Sequence, residues 1–555
     1  MSERAGVDPV DRQVFFLVML VALAVGAWLR LWQIDAQILI DDEWHALHRL
    51  MEVGYRDIFL SFGRADYSIP LTLLFNWMAE TIGLSERRMR FLPLLFGLAS
   101  IIAIPLMLRP WLTRAGQATL ALLLALSPLL IHFSRVARPY ALTVPLSFIA
   151  VVALWRWWQD GRRTWLLVYI SFTVLAAWLH PLTMMFTFGA ASWFGLCALW
   201  KGFRGSGWQS FGAIVLVALP TLAACAALVL PPLLADPHAM TSKAGVHQLQ
   251  PETFLRAWEF YVGGAGIWMV AASVALAVVG AGVLIQRDRW FFLYWLYLLA
   301  LAVLAIVILD PAWIHHGLVL VRYTVTAQPL VLALIAMGIV TLLGQAFRRF
   351  GPRLGSAAMV SGLLALAVVL YVNGPMPKIH DGVNQFTNSL RYHFNYDFDP
   401  GINPYSAVME EVIVHDFYDE MASEEGEWNV VEAPWYFESH YNPLIEYQVN
   451  HQRPIRIGMI SGLCADWTYG ELRTDYHGHV TLRNFVYLRD MLVEPITADQ
   501  FVVLHRESPF EDAWDIPGFD RCIDAFRERF GPPWRESEAA VVFRLRAETV
   551  AADDA

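Results

Sequence analysis

Long apolar stretches, each separated from the next by a short polar segment, fill the first 374 residues of the chain. A helix needs about 20 apolar residues to cross the hydrocarbon core of a bilayer, so stretches near this length predict spanning helices. Eleven stretches qualify, at about 14–33, 91–109, 117–133, 141–158, 165–180, 183–200, 211–231, 265–286, 290–309, 323–344 and 356–374. A twelfth stretch, 69–83, is short and carries Asn76 and Glu80 on one helical face.

The pattern changes after Gly374, where strand-like and helix-like segments alternate. Strands are predicted at Asn429–Glu432, Ile455–Ile460, Phe501–His505 and Ala540–Leu545. Helices are predicted between them, at Pro443–His451, Thr481–Leu492 and Phe519–Phe530. This alternation is typical of a small α/β domain. The expected fold class is therefore a polytopic α-helical membrane protein of about eleven spans with a C-terminal α/β domain.

Basic residues are distributed unevenly among the loops between the apolar stretches. Alternate loops carry twelve Lys or Arg residues, and the intervening loops carry five. Cytoplasmic loops are enriched in Lys and Arg, so the first set is predicted to face the cytoplasm, together with the N-terminus. This alternation of cytoplasmic and outer loops requires that 69–83 does not span the membrane. We expect 69–83 to lie at the interface as an amphipathic helix. Eleven spans then leave the C-terminal domain outside the cytoplasm.

Composition separates the same two regions. The chain is 57% hydrophobic with 16% charged residues and a mean hydropathy of +0.45, whereas soluble proteins have about a quarter charged residues. Residues 1–374 have a net charge of +8 and residues 375–555 one of −18. We therefore predict a transmembrane domain over 1–374, with interfacial helices in 35–90, and a soluble extracytoplasmic domain over 375–555. No phosphate-binding glycine loop follows a predicted strand, and neither nucleotide nor nucleic-acid binding is expected.

The first apolar stretch is not followed by a small-residue cleavage site, so we expect it to be retained as a spanning helix. Of the four cysteines, Cys197 and Cys225 lie in apolar stretches. Cys464 and Cys522 lie in the tail, where an oxidising compartment would permit a disulfide, although spacing alone does not fix the pairing.

An acidic segment follows the first helix. Asp41, Asp42 and Glu43 are consecutive, and His45 comes two residues later. Repulsion among neighbouring carboxylates favours one that exchanges its proton near neutral pH, as a general base for an attacking hydroxyl must. The alternative is that Asp41 or Asp42 caps an interfacial helix. A cap accounts for one carboxylate and not for three, which favours a functional role for the segment that contains Asp42 and Glu43.

Two basic segments are predicted on the same outer surface. Between the third and fourth helices, Arg138 offers a planar fork of donors to a phosphate and Tyr140 a hydroxyl. Later, Arg322 and Tyr323 are predicted to open a spanning helix, where a cation opposes the helix dipole unless it binds an anion. The alternatives are arginines that reach lipid headgroups, Arg135 included, and an ion pair between Arg322 and Asp310. His180-Pro181, at the end of the fifth helix, is interpreted as a bend.

In this order, these segments resemble the motifs of the GT-C superfamily of membrane glycosyltransferases. The closest likeness is to the bacterial branch related to protein O-mannosyltransferases and the lipid A aminoarabinose transferase. The matching positions are Asp42-Glu43, Arg90-Phe91-Leu92-Pro93, Ser134-Arg135, Ala137-Arg138-Pro139-Tyr140 and Arg322-Tyr323 with Pro329. The element that opens the interfacial helices reads Tyr67-Ser68-Ile69-Pro70 here, without the basic residue expected near Pro70. The resemblance covers roughly residues 10–375 and is diffuse between the motifs.

The resemblance implies transfer of a sugar from a polyprenyl-phosphate donor, on the extracytoplasmic side of the inner (plasma) membrane. By this resemblance, Asp42 is the base, and Arg138, Tyr140, Arg322 and Tyr323 bind the donor phosphate. His45 lies where a basic residue often follows the acidic pair. The implied partners are the lipid donor, the bilayer and an acceptor that the sequence does not identify as lipid, glycan or protein.

The chain also departs from the pattern of its relatives. Many of them carry a second acid after the third helix, often with a divalent metal, and that acid is missing here. No cofactor is therefore predicted with certainty, a divalent metal stays open, and no metal ligand is assigned. A polysaccharide polymerase or ligase, a multi-span transporter or flippase, and a catalytically dead scaffold remain as alternatives. Transporters place polar residues within their helices, whereas here polar residues cluster in the outer loops.

Overall fold

The fold is taken from a computed structural model of the chain. It describes residues 12–32, 54–65, 67–203, 208–241, 249–264, 266–311, 317–347, 414–434, 450–460, 462–464, 485–506 and 518–548, with isolated positions at 34, 43, 46, 47, 50, 314, 361, 362, 365, 368 and 447. The chain separates into two compact units. The first comprises Met1–Trp32, Tyr55–Leu73 and Arg90–Pro377, and the second comprises Gln33–Gly54, Leu74–Met89 and Lys378–Ala555.

Helices account for nearly all described residues up to Phe347. In chain order they are α1 (Arg12–Leu31), α2 (Tyr55–Phe59), α3 (Ile69–Thr81), α4 (Glu86–Met107), α5 (Arg114–Leu126), α6 (Pro128–Ser134), α7 (Tyr140–Asp160), α8 (Arg163–Leu179), α9 (Thr183–Phe203), α10 (Trp208–Ala235), α11 (Pro237–Thr241), α12 (Pro251–Val262), α13 (Ile267–Leu309), α14 (Gly317–Thr324) and α15 (Gln328–Phe347). A 3-10 turn, Val325–Ala327, joins α14 to α15.

Within the described residues, seven helical segments are long and apolar enough to cross a membrane, and eight if the bent pair α5–α6 is one span. The predicted helical character of this region is thereby confirmed, whereas a count of about eleven spans is not. Part of the difference lies in α13, which is broken at Asp288 (φ −156°, ψ 86°) between the predicted stretches 265–286 and 290–309. The 17-residue helix α8 is apolar but shorter than the others, and most of 356–374 lies outside the described residues.

The segment predicted not to span forms α3, which has 13 residues. At 1.5 Å per residue such a helix is about 20 Å long, which is too short for a hydrocarbon core of about 30 Å. Arg88 donates its guanidinium to the carbonyls of Ile82 and Gly83 just beyond α3.

The sharp bend of 59° between α5 and α6 has an identifiable cause. Pro128 opens α6 and has no N–H to continue the helical ladder, so carbonyls at the end of α5 need other donors. Arg30, which is 1% exposed in α1, donates to the carbonyls of Leu124 and Ala125 at 3.1 and 2.9 Å. Ser127 caps α6 by accepting the N–H of Leu130. The bend is thus held by α1.

In the second unit, a six-stranded sheet has the order β3-β2-β1-β4-β6-β5. Its strands are β1 (Asn429–Ala433), β2 (Ile455–Met459), β3 (Phe485–Tyr487), β4 (Gln500–His505), β5 (Arg535–Glu536) and β6 (Ala540–Leu545). The pairs β3/β2, β2/β1 and β1/β4 are parallel, and β4/β6 and β6/β5 are antiparallel. Helices α16 (Phe417–Ser423), α17 (Leu488–Val493) and α18 (Asp520–Phe530) belong to the same unit.

The α/β class of this region is confirmed, and all four predicted strands form within a residue of their expected ends. The helix expected at Phe519–Phe530 forms as α18. The continuous helix expected at Thr481–Leu492 is wrong, because Phe485–Tyr487 pairs with β2 as a strand and only α17 is helical there. Most of Pro443–His451 lies outside the described residues. Cys464 and Cys522 are bridged, with Cα atoms 5.2 Å apart, in the hydrophobic core of the unit.

Candidate functional site

The first arm of the site is the turn between α6 and α7. Pro139 precedes the first residue of α7, Tyr140, which is 4% exposed. Arg138 lies just before this proline and is 7% exposed. The ring of Tyr140 packs 4.8 Å from that of Phe133, centroid to centroid, which fixes its direction. The turn between α6 and α7 therefore brings a guanidinium and a phenol to the same end of α7.

The second arm is the end of α14. Arg322 and Tyr323 were predicted to open a spanning helix. They lie in the last turn of α14, among the first residues of the apolar span Val319–Ala346, which continues through the 3-10 turn into α15. The sequence did not predict the 3-10 turn because Val325 and Ala327 are as apolar as the residues of a helix interior. A cation in a last turn is favoured by the helix dipole, so the predicted conflict with the dipole disappears.

Helix α12 holds the second arm in place. Gly317 of α14 lies so close to α12 that a Cβ on it would come within 2.5 Å of Cβ of Arg256. The hydroxyl of Tyr261 donates to the carbonyl of Thr324 at 2.8 Å, where α14 ends. The side-chain amide of Gln328 donates to the carbonyl of Tyr261 and to Oγ of Ser127, both at 2.9 Å. Ser127 caps α6, so a hydrogen-bonded chain runs from the first arm to the second.

His180 lies where the two arms meet. Its ring centroid is 5.7 Å from that of Tyr140 and 6.1 Å from that of Tyr323. The guanidinium carbon of Arg322 is 6.0 Å from the centroid of the Tyr140 ring. Arg138 and Arg322 both act electrostatically on the imidazole. The structure thus brings four predicted phosphate-site residues together around a histidine that was interpreted as a bend.

The local sequence explains the position of His180. It ends α8 in an extended conformation (φ −157°, ψ 108°), as a residue before proline prefers. Its carbonyl accepts hydrogen bonds from the N–H and the hydroxyl of Thr183, which close the turn into α9. Burial, and then the guanidinium groups of Arg138 and Arg322, lower the pKa of His180 to about 3. The imidazole is therefore neutral at physiological pH.

This arrangement suits an anion with several oxygens. Two guanidinium groups supply charge and directed donors, and the phenols of Tyr140 and Tyr323 can add hydroxyl donors. The neutral imidazole has one N–H donor and one acceptor nitrogen. Among the described residues, no group of three or more His, Cys, Asp or Glu side chains is placed to hold a metal ion.

The other predicted residues are not part of this cluster as described. Asp42 and His45 lie outside the described residues. Glu43 is fully buried and belongs to the second unit, whereas the arginine cluster belongs to the first. Arg135 has a structural role, because its guanidinium donates to the carbonyls of Leu29, Arg30 and Trp32 at the end of α1. His180 is the residue that the sequence interpretation missed, and its only signal was a polar ring at an outer helix end.

Comparison with known proteins gives one kind of match. No family model and no curated protein matches the sequence. Among solved structures, the chain is similar to ArnT from Cupriavidus metallidurans in the apo state, with 12% identity and a TM-score of 0.44, over 96% of this chain and 98% of that one. A second similar structure is ArnT from the same organism bound to undecaprenyl phosphate, with 12% identity and a TM-score of 0.43, over 95% and 97%. At this identity and these TM-scores, the likeness assigns no residue role and no reaction to the present chain.

Proposed function

We propose that this chain transfers a sugar from a polyprenyl-phosphate donor to an acceptor at the extracytoplasmic surface of the inner (plasma) membrane. The observation that carries the proposal is the convergence of Arg138, Arg322, Tyr140 and Tyr323 around His180. Such a site would bind a lipid-linked phosphate at the ends of apolar helices, where a lipid presents its headgroup.

The chemistry needs a base beside the acceptor hydroxyl and cations beside the departing phosphate. Arg138 and Arg322 would neutralise the phosphate, which becomes a good leaving group when its charge is balanced. Asp42 is proposed as the base, with Glu43 as the second candidate and His45 as a further phosphate ligand. This division of roles rests on the sequence resemblance, since the acidic segment is described only at Glu43.

Two independent observations support an extracytoplasmic location for the C-terminal domain. The bridge between Cys464 and Cys522 is of a kind that persists in oxidising compartments. The distribution of basic loop residues predicts the same side. We propose that this domain, over 375–555, contributes to the acceptor side of the reaction.

The proposal is tested with the full-length protein in proteoliposomes that contain polyprenyl-phosphate sugars with a labelled sugar. Asp42→Asn is expected to reduce release of polyprenyl phosphate by at least about 100-fold, because removing a general base costs about 10²–10⁴-fold. Arg138→Gln and Arg322→Gln are expected to weaken binding of undecaprenyl phosphate by about 10- to 100-fold each, since hydrogen bonds to charged groups are stronger than neutral ones.

Matched controls are available on the same chain. Asp57→Asn removes an exposed carboxylate of α2, and Arg162→Gln removes an exposed arginine at the far end of α7. Both controls should leave release and binding unchanged. Normal activity of Asp42→Asn together with normal binding by both arginine variants would refute the proposal.

The remaining alternatives predict other products. A flippase would move the labelled lipid between leaflets without breaking the bond between the sugar and phosphate. A polysaccharide polymerase or ligase would use the same phosphate site and release polyprenyl phosphate, but its labelled product would be a chain of increasing length. Analysis of the labelled product separates these outcomes from single-sugar transfer.

A further inference from the structure

His180 is the only residue of the described cluster whose ring contacts both arms. The residue is partly buried. It belongs to neither arm and lies at the turn between α8 and α9. Pro181 and the hydrogen bond from the hydroxyl of Thr183 to the carbonyl of His180 stabilise this turn. A third segment of the chain therefore places the imidazole of His180 where Arg138 and Arg322 both act on it.

The groups around His180 decide what it can do. Among the described residues, Arg138 and Arg322 are the charged groups that act on it, and both are positive. Tyr140 and Tyr323 are the neighbouring titratable groups. A third cation at this position would be unfavourable, and the low pKa of His180 reflects that cost. A neutral imidazole can still donate through its N–H, and it adds no charge that would retain the product.

We propose that the imidazole N–H of His180 donates a hydrogen bond to the phosphate oxygen that leaves the sugar. This inference rests on the proposed function and adds a catalytic residue to its site. In the transfer, the acceptor oxygen forms a bond to the anomeric carbon while the bond from that carbon to the phosphate oxygen breaks. The electron pair stays on the phosphate oxygen, and the acceptor proton passes to the carboxylate base.

His180 keeps its own proton throughout this step. The phosphate gains one negative charge as its ester bond breaks, so a donor aimed at the leaving oxygen is stronger in the transition state than in the ground state. The two arginines balance the charge of the phosphate, and His180 donates a hydrogen bond to the one oxygen on which the negative charge increases. His180 therefore contributes a directed hydrogen bond and no positive charge.

The experiment compares three variants of the full-length protein in detergent, with undecaprenyl phosphate as the probe because it carries the released oxygen. His180→Phe keeps an aromatic ring but removes the donor, and it should weaken binding by about 10- to 100-fold. His180→Gln keeps an N–H and cannot titrate, and it should bind within about 3-fold of the unsubstituted protein, given the context dependence of such contacts. Arg138→Gln reports on the proposed function separately.

The pH profile provides a readout that a purely structural role would not change. Between about pH 5.5 and 8.5, the unsubstituted protein and His180→Gln should show parallel binding curves, because an imidazole of such low pKa does not titrate in that range. An additional ionisation present only in the unsubstituted protein would overturn the inference, as would normal binding by His180→Phe or failure of His180→Gln to bind. If Arg138→Gln weakens binding while His180→Phe does not, only this inference fails. If Arg138→Gln and Arg322→Gln also bind normally and Asp42→Asn keeps normal activity, the proposed function fails with it.

Discussion

Arg135 and Arg138 lie three positions apart, and their surroundings give them different roles. Arg135 is 3% exposed and donates to the carbonyls of Leu29, Arg30 and Trp32 at the end of α1. The last carbonyls of a helix have no intrahelical donors and need others. Arg138 instead lies at the entry to α7, where it acts on His180. Residue type and spacing do not distinguish the two, since the same sequence pattern contains both.

Exchanging each arginine for glutamine should separate stability from binding. Arg135→Gln should lower the free energy of unfolding by about 1–3 kcal/mol, because buried carbonyls of α1 lose their donor. Its affinity for undecaprenyl phosphate, measured on the folded fraction, should not change. Arg138→Gln should show the reverse, with weaker binding and a smaller change in thermal unfolding in detergent. A weaker lipid affinity in folded Arg135→Gln would contradict this assignment.

The buried imidazole of His451 should make the stability of the second unit depend on pH. Its side chain is fully buried, and its Nδ1 accepts the backbone N–H of Arg453 at 3.0 Å. Burial, and then the charge of Arg453, lower the pKa of His451 to about 3. In the unfolded chain, its pKa is about 6.5. Between these values the unfolded state binds the extra proton, so the stability contributed by neutral His451 is complete above about pH 6.5 and is lost as the pH falls.

The expected slope is about 1.4 kcal/mol of unfolding free energy per pH unit below about pH 6.5. Hydrogen exchange of peptides from β1 and β4, in the full-length protein, measures the stability of this unit directly. His451→Asn keeps an acceptor but cannot titrate, so its stability should fall less steeply with acid. Equal slopes for both proteins between about pH 4 and 6.5 would rule out His451 as the source.

At the scale of elements, the crossing of α13 and α15 depends on two glycines. A Cβ on Gly280 would lie 1.9 Å from the carbonyl oxygen of Leu334, and a Cβ on Gly338 would lie 2.1 Å from that of Leu276. The helix backbones are therefore in direct contact, as small residues allow in membrane helix pairs. Gly282 also belongs to α13 but lies on another face of the helix, where a Cβ would have nothing within 4 Å.

Gly280→Ala and Gly282→Ala form a matched pair for this contact. In a helix interior, alanine is favoured over glycine by about 1 kcal/mol, so Gly282→Ala should be neutral or stabilising. Gly280→Ala should instead lower the unfolding free energy by about 1–3 kcal/mol, because the helices must move apart to admit the methyl group. Thermal unfolding in detergent compares the two. Equal stability of both variants would show that the backbones are not in contact at Gly280.

The elements that the sequence predicted share a physical reason. Long apolar stretches must be helical in a bilayer, because no water is present to satisfy a backbone in another conformation. The four predicted strands are short apolar runs bounded by turns. Phe485–Tyr487 could not be recognised in this way, because its three residues continue directly into α17 and the whole stretch has a helix-like pattern. Its strand conformation depends on pairing with β2, which lies far away in the sequence.

At the scale of the whole molecule, the residues of the candidate site also divide into those that a local sequence pattern predicts and those that depend on contacts between distant segments. Arg138 and Tyr140 were predicted because their side chains can donate to a phosphate between the third and fourth helices, and Arg322 and Tyr323 because a cation at the start of a spanning helix indicates a bound anion. His180 has no such local sign of function. Its proposed role follows from contacts with residues of two distant segments, and only the fold brings these segments together. The sequence therefore predicted the charged residues of the candidate site and did not predict the histidine that lies between them.

The proposed reaction requires one membrane orientation, and cysteine labelling tests it. Asp57→Cys in α2 and Ser423→Cys at the end of α16 are exposed positions predicted outside the cytoplasm, whereas Arg162→Cys is an exposed position predicted inside. The native cysteines should give little background, since two are bridged and the other two lie in apolar helices. A membrane-impermeant maleimide added to intact cells stripped of their outer layers should label the first two and label Arg162→Cys only after lysis. Labelling of Arg162→Cys before lysis would place the basic loops outside, and the arginine cluster at the opposite end of α7 would then face the cytoplasm, where the proposed lipid donor is not presented.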